Sequence, residues 1–428
     1  MTASPGSSRS TLAGGNGARP AVLSVLDKAV PAWAHGMTTA GFLARGPRLA
    51  DLSTPVLVLD RAAIADNVAE FARWTAAHGF DLEPHGKTTM APALWQEQLD
   101  AGSTAITVAN LPQLQAAVAT GFRRLHVANA IADPAGIRWL GEALDADPGL
   151  EVTLWADGVA TVEALERGLA AADRQPTVLV ELGGPGGRTG ARTVDEAVAI
   201  GERIAASPRL RLGGVTGYEG AFAHDSSAAA LGTVDDYLRT LKELHARLRP
   251  LYPEGRIVVS AGGSAYFDRV AAILGGIDGA RVVVRSGAYI IHDDGFYRGI
   301  TPSGRGADAP RLRSAMHVWA RVISRPEPGL ALLDVGRRDV SFDDGLPEPQ
   351  VAAAGLGAPS RPLPAEISAV NDQHAFLRLP PGDPLAVGDV VRLGLSHPCT
   401  VFDKWRVIPV VADGAEDPRI VDMISTYF

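Results

Sequence analysis

From residue 54 onward the chain alternates between apolar runs of four to seven residues and longer segments in which apolar positions recur every three or four residues. Short continuous apolar runs suit strands buried on both faces, and the longer segments suit helices that cover such a sheet. The alternation therefore predicts parallel β/α units. Eight strands are expected, over residues 55–59, 81–85, 105–108, 125–128, 152–156, 178–181, 212–218 and 257–260, with helical segments such as 61–78, 91–101, 111–120, 159–172, 193–206 and 234–248 between them. Eight units in about 220 residues fit an α/β fold of the closed (β/α)8 TIM type better than an open sheet, and residues 53–300 are assigned to that barrel.

The pattern changes after a Gly/Asp/Pro-rich connection at 293–310. Short β-like runs at 316–324, 330–335, 365–370, 387–393 and 405–411 are separated by turn residues with little helical period, which predicts a C-terminal all-β domain over 311–428. Ahead of the barrel, residues 21–52 form an irregular extension with Trp33 and Phe42 as anchors, expected to pack on the later domain. Residues 1–20, rich in Ser, Gly and Ala, read as a disordered leader.

Composition narrows the class. With 428 residues and 46% apolar content the chain can bury a full core, and its net charge of -8 without a dense Lys/Arg run argues against a nucleic-acid partner. No stretch approaches a membrane span and the start has no apolar signal region, so a cytoplasmic protein is expected. A single cysteine, Cys399, excludes an internal disulfide and leaves a core residue, a reactive thiol or a metal ligand.

A (β/α)8 barrel carries its chemistry at the carboxyl ends of its strands. The second expected strand ends at Pro84-His85-Gly86-Lys87, where partial desolvation favours a free lysine amine able to form a Schiff base. A lone lysine is more often a solvated surface residue. The sixth strand leads into a glycine-rich loop that carries Arg188, the seventh ends at Tyr218, and the eighth at Gly262-Gly263-Ser264, whose backbone amides suit a phosphate ahead of a helix. A lysine and a phosphate cradle at one barrel mouth together suggest pyridoxal 5'-phosphate. In the β domain, His397 and Cys399 stand two residues apart, a spacing that in an extended strand turns both toward one borderline-soft ion such as Zn(II), with Mn(II) as the alternative. A buried cysteine beside a hydrogen-bonded histidine is the plainer alternative, and His374, in Asp372-Gln373-His374, is either a third ligand or an exposed residue.

With these residues in view the chain resembles the fold-type III pyridoxal-phosphate enzymes of the D-serine dehydratase and D-threonine aldolase group, which pair an alanine-racemase-like barrel with a C-terminal β domain. The resemblance covers nearly everything from Thr54 and rests on Thr54-Pro55, Pro84-His85-x-Lys87-Thr88, Arg188-x-Gly190, Gly262-Gly263-Ser264, Ser286-Gly287-Ala288-Tyr289, Asp334-x-Gly336 with Ser341 and Asp343, and His397-x-Cys399. It implies Lys87 as the Schiff-base lysine, His85, Arg188, Tyr218, Gly262, Gly263, Ser264, Gly287 and Tyr289 around the cofactor, and His397 with Cys399 as metal ligands. Cysteine in the second ligand position resembles the zinc-dependent dehydratases, where the aldolases carry aspartate. The group's Arg-Pro-His-x-Lys-Thr-His reads Glu83-Pro84-His85-Gly86-Lys87-Thr88-Thr89 here, its Glu-Glu-His reads Asp372-Gln373-His374, and Arg338 stands where a lysine is expected.

The resemblance implies a small D-amino acid as substrate and a homodimer in which a partner subunit's second domain completes the pocket. The leading expectation is a dehydratase (deaminase) that converts D-3-hydroxyamino acids such as D-serine or D-threonine to a 2-oxo acid and ammonia. Metal-dependent aldol cleavage of the same substrates is the alternative. A racemase needs a second base opposite Lys87, and a non-catalytic pyridoxal-phosphate carrier has no use for the β domain.

Overall fold

The first strand, β1 (Val56–Asp60), does not join the barrel. In the computed structural model, which describes residues 22–412 and 416–428, it lies in the sheet of the β domain, antiparallel to β10 (Met316–Glu327) and parallel to β17 (Val407–Val411). An apolar run with both faces covered reads the same in either sheet, so the run alone could not choose. The barrel instead contains β2 (Asp81–Leu82), β3 (Ile106–Val108), β4 (Arg124–Val127), β5 (Glu151–Ala156), β6 (Thr177–Leu182), β7 (Arg211–Gly217), β8 (Val258–Ser260) and β9 (Arg281–Val284), paired in the order β2-β9-β8-β7-β6-β5-β4-β3. A parallel bridge between His85 and Thr107 closes the ring. The expected eight-stranded barrel is therefore present, with its membership shifted by one strand; the leader expected over 1–20 lies outside the described residues.

The barrel strands are buried on both faces, and successive side chains alternate between them. Leu154, Ala156, Val178, Val180, Val259, Val282 and Val284 pack outward into the large core under the helices, whereas Trp155, Leu179, Val258 and Val283 form a separate cluster in the barrel lumen. The same parity sends Glu83, His126, Thr216, Ser260 and Arg285 into the lumen, where all five are buried. The helices start where their caps dictate. Asp60 accepts the Ala63 amide ahead of Arg61–Ala77, and Thr193 forms a reciprocal capping box with Glu196 ahead of Val194–Ala205. None of the helices among the described residues is long and apolar enough to cross a membrane.

The β domain adds β11 (Leu330–Leu333), β12 (Glu348–Ala353), β13 (Ser360–Pro362), β14 (Glu366–Val370), β15 (Ala375–Arg378), β16 (Val390–Gly394) and β18 (Ile420–Ser425). Its main path runs β13-β12-β16-β10-β1-β17-β18, with β11, β15 and β14 branching from β10. Leu23, Ala34, Phe42, Leu49 and Leu52 of the N-terminal extension share a core with Val56, Val58, Trp319 and Val407 of this sheet. Phe42 is fully buried there, while Trp33 stacks on it from a half-exposed position at 5.4 Å between ring centroids.

Candidate active site

After β2 the chain makes a single tight turn over Gly86–Thr88 and delivers Lys87 to the barrel mouth. Glycine is required at 86 because a Cβ there would meet the Trp95 ring at 2.7 Å; the Trp95 indole in turn donates to the Gly86 carbonyl at 3.2 Å. Lys87 enters a cavity of about 850 Å³ that also meets His85, Trp155, Arg188, Tyr218, Gly263, Ser264, Arg285, Gly287, Tyr297, His397 and Cys399. Lys87 is exposed to the open cavity, yet the protein packed around its amine holds it below its usual pKa, the Cys399 thiolate opposes that shift, and the Arg188 and Arg285 charges reinforce it. Burial and the neighbouring cations also keep the His85 imidazole neutral, and its Nδ1 is buried with no partner.

Arg285 is a site residue that the motif reading passed over. It follows β9, reaches into the lumen, donates to Ser260 Oγ and to the Gly217 carbonyl (2.7 Å), and lies 4.7 Å from the centroid of the Trp155 ring. Burial weakens its hold on the proton, against the pull of Glu219, Tyr237, Glu83 and Glu181. Beneath it runs a polar chain. Arg256 Nη2 donates to Glu83 Oε1 at 3.0 Å, Glu83 Oε2 accepts from His126 Nδ1 at 2.6 Å, and His126 Nε2 accepts from Trp155 Nε1 at 2.7 Å. A sequence signal for part of this set existed: Glu83, His126, Trp155, Ser260 and Arg285 stand in phase with the lumenal positions of their strands.

Burial alone would raise the Glu83 pKa, but hydrogen bonds and charge from His126 and Arg256 outweigh it and hold the carboxyl at about 2, while burial depresses His126. Both groups therefore bind protons less readily folded than unfolded. Their stabilisation is complete above the ordinary histidine value of 6.5 and is lost as pH falls, first through His126 and then, below 4.5, through Glu83. Urea unfolding is expected to show Glu83 contributing about 2 kcal/mol of lost stability between about pH 5 and about pH 3, a slope that Glu83→Gln removes.

The amides expected to hold a phosphate are engaged elsewhere. Glu219, buried after β7, accepts from the Gly262 amide at 3.0 Å and the Gly263 amide at 2.8 Å. That carboxylate, 44 residues from Gly263 in sequence, fills the cradle and puts a negative charge beside it, which leaves Ser264 as the member of the tripeptide free to face an anion. Arg188 lies over the Tyr218 ring at 5.4 Å, and burial with Glu219 alongside pushes the Tyr218 hydroxyl up to about 12. Gly287 lines the cavity, and a Cβ on it would stand 2.3 Å from the His85 carbonyl, so only glycine lets the end of β9 pass. Tyr289 is a correction: it is buried in the core, stacked on Phe71 at 4.4 Å with its hydroxyl beside Gln98 and Ser103, and does not line the cavity. The chain turns over Ala288–Ile290 directly after Gly287, which swings the ring away from the lumen.

The β domain of the same chain brings His397 and Cys399 to Lys87, so no partner subunit is needed for this meeting. Cys399 Sγ lies 3.4 Å from Oγ1 of Thr88, the residue after Lys87. The pair does not sit in an extended strand. His397 has a left-handed φ of 51°, and Cys399 opens a single helical turn, Cys399–Phe402. His397 Nδ1 meets Asp343 Oδ2 at 2.6 Å and Asp344 Oδ2 at 3.0 Å, and the imidazole also bonds the Cys399 thiol. Burial disfavours the imidazolium, but Cys399 and Asp343 raise the ring to about 9; the thiol, which burial alone would push up, is drawn down by His397. Asp343, Asp344 and His397 form a cluster close enough to share one ion. His374 is exposed in the turn between β14 and β15, outside this cluster.

One buried carboxylate fixes this loop. Asp293 Oδ2 accepts the His397 amide at 2.9 Å, and its Oδ1 accepts the amides of Gly295 (3.0 Å) and Tyr297 (2.8 Å). Asp293→Asn replaces one of these acceptors by a donor, so the purified variant is expected to bind zinc about 10-fold more weakly, as measured by competition with a chromophoric chelator.

The residues present fit both groups. A lysine amine among cations, an orphaned His85 nitrogen and an open cavity suit an anionic aldehyde cofactor, and an imidazole oriented by a carboxylate beside an acidified thiol suits a borderline metal ion.

Residues 59–290 match the model of the alanine racemase N-terminal domain, and residues 315–411 match that of a putative serine dehydratase domain. The chain is 26% identical to a D-threonine aldolase of Arthrobacter sp over 86% of its own length and 92% of the relative's. It is likewise 26% identical to a D-threo-3-hydroxyaspartate dehydratase of Delftia sp. (strain HT23), over 86% and 96%. Among solved structures, a D-threonine aldolase from Filomicrobium marinum superposes with a TM-score of 0.75 at 23% identity, covering 89% of this chain and 97% of that one. A cysteine-to-alanine mutant of D-threo-3-hydroxyaspartate dehydratase in the metal-free form superposes with a TM-score of 0.72 at 20% identity, covering 89% and 99%.

Proposed function

Because the chain belongs to the alanine racemase N-terminal domain family of fold-type III pyridoxal-phosphate enzymes, we propose that it is a metal-assisted lyase of D-3-hydroxyamino acids that acts by β-elimination to give a 2-oxo acid and ammonia. The observation that carries this reading is the meeting of Lys87 and the His397/Cys399 pair in one cavity, with Thr88 in contact with the thiol. When bound, pyridoxal phosphate supplies an electron-withdrawing ring that acidifies the substrate Cα–H, and the metal supplies a Lewis acid for the departing β-hydroxyl.

This chain's residues would divide the work. Lys87 holds the cofactor and, with its amine released, takes the Cα proton; the surrounding protein and two arginines keep that amine ready to accept it. His397 and Cys399 hold the metal, and Asp343 accepts the Nδ1 proton of His397, which fixes the tautomer and leaves Nε2 for the ion. Arg188 and Arg285 give the cavity the positive character that an anionic cofactor and a substrate carboxylate require.

Aldol cleavage to glycine and an aldehyde is the second reading. It is favoured by the match to a D-threonine aldolase over 86% of the chain. Incubating the purified protein with D-serine, D-threonine and D-threo-3-hydroxyaspartate separates the two. Elimination is expected to yield 2-oxo acid and ammonia in equal amounts without glycine. Glycine and aldehyde as the main products would move the assignment to the second reading, and no turnover of any of the three would refute both.

A further inference from the structure

The chain of polar side chains from Arg256 through Glu83 and His126 to Trp155 lies under the cavity, and the proposed chemistry at Lys87 and at the metal donors makes no use of it. We infer that Glu83 is a positioning residue for the cofactor pocket: through His126 it fixes the Trp155 ring and, on that ring, the Arg285 guanidinium.

An indole N–H only donates, so His126 Nε2, which receives it, must be unprotonated, and the ring proton then sits on Nδ1. That proton needs an acceptor, and Glu83 Oε2 is the atom that takes it. Without a carboxylate or amide oxygen at 83, His126 can place its proton on Nε2, where it would face the Trp155 N–H and drive the indole out of its position. Trp155 and Arg285 both line the cavity, so the wall that meets a bound cofactor would shift with them.

Charge supplies a second link. The direct partners of the Arg285 guanidinium are neutral, the Ser260 and Thr216 hydroxyls and the Gly217 carbonyl, so its charge in the lumen depends on carboxylates further off, Glu219 first and Glu83 among them. Position 83 is also where the resembled enzymes carry arginine. An arginine there would offer His126 donors in place of an acceptor and would add positive charge beneath Arg285. The acidic residue therefore keeps a negative charge beneath Arg285, with Arg256 as its outer counter-ion.

The inference rests on the proposed cofactor site, and its test keeps the two apart. Glu83→Ala, Glu83→Gln, Trp155→Phe and the Glu83→Ala/Trp155→Phe double variant are purified with and without pyridoxal phosphate. In the cofactor-free proteins, the Trp155 emission, taken as the difference from the matching Trp155→Phe protein, is expected to shift to the red in Glu83→Ala and to stay near wild type in Glu83→Gln. This readout holds even if the cofactor assignment fails. With pyridoxal phosphate, Glu83→Ala is expected to raise the Kd about 10-fold and to move the pH midpoint of the bound chromophore. Glu83→Gln, which keeps the acceptor, recovers most of the affinity. Trp155→Phe adds nothing further in the Glu83→Ala background, because the two act in series. An unshifted Trp155 emission, or a folded Glu83→Ala with wild-type Kd and chromophore, overturns the proposal, as does additivity in the double variant. Should Glu83→Ala not fold, Trp155→Phe decides alone: a wild-type Kd and chromophore midpoint there overturn the proposal, and a matching loss supports it.

Discussion

Lys87→Ala is expected to abolish the visible absorbance of protein reconstituted with pyridoxal phosphate and to lower kcat on D-3-hydroxyamino acids by at least about 10³-fold, since the variant loses both the amine that bonds the cofactor and the group that takes the Cα proton. The fold should survive. Lys87 sits at the rim of the cavity, no strand pairing depends on its side chain, and Gly86 and Trp95 make the turn that precedes it. Borohydride treatment of the wild-type protein followed by peptide mapping is the matching measurement, with a pyridoxyl group expected on Lys87. A label on another lysine, or an undiminished rate in the alanine variant, would remove Lys87 from the mechanism. Because the surrounding protein lowers its pKa, the free amine should persist to a lower pH than that of a solvated lysine, so the acidic limb of the pH profile for cofactor binding should lie below the ordinary lysine range.

The second large effect concerns the metal. Exhaustive chelation, or Cys399→Ala, is expected to stop turnover by about 10²-fold or more while leaving the chromophore at Lys87 in place, because hydroxide is a poor leaving group without a Lewis acid and the two sites do separate work. Cys399→Asp replaces a soft donor by a hard one beside Asp343 and Asp344 and is expected to transfer preference from Zn(II) toward Mn(II), with partial recovery of activity. Zinc content by elemental analysis and rates in the presence of each ion provide the readout. A cysteine that serves packing alone behaves differently: truncation then costs about 1 kcal/mol or more of stability, turnover per folded molecule is unchanged, and chelators have no effect. Full activity in a zinc-free preparation would refute the metal's part and leave metal-free chemistry at Lys87.

Much of this arrangement can be read along the chain, because it depends on neighbours in sequence. Short apolar runs alternating with helical periods are enough for β/α units, and the turn after Leu82 follows from Pro84 and Gly86, so a lysine at a strand end is a local fact. His397 and Cys399 stand only two residues apart, and here a left-handed His397 followed by a helical turn at Cys399 brings the thiol to the imidazole, so the pair meets although the extended strand expected between them is absent. Partners far apart in sequence are a different matter. Val56–Asp60 and Arg281–Val284 are equally apolar, and only the sheet each one pairs with decides that the first leaves the barrel and the second completes it. Gly262 and Gly263 can cradle any anion, and it took the fold to bring the Glu219 carboxylate to their amides. Period two marks Glu83, His126, Trp155 and Arg285 as lumenal, but not that they bond in series across four strands or strand ends. Local periodicity fixes which way a side chain faces, since it follows from backbone geometry within a few residues. What that side chain meets is set by chain closure over tens to hundreds of residues, where burial and hydrogen-bond satisfaction select one partner among several of equal local merit.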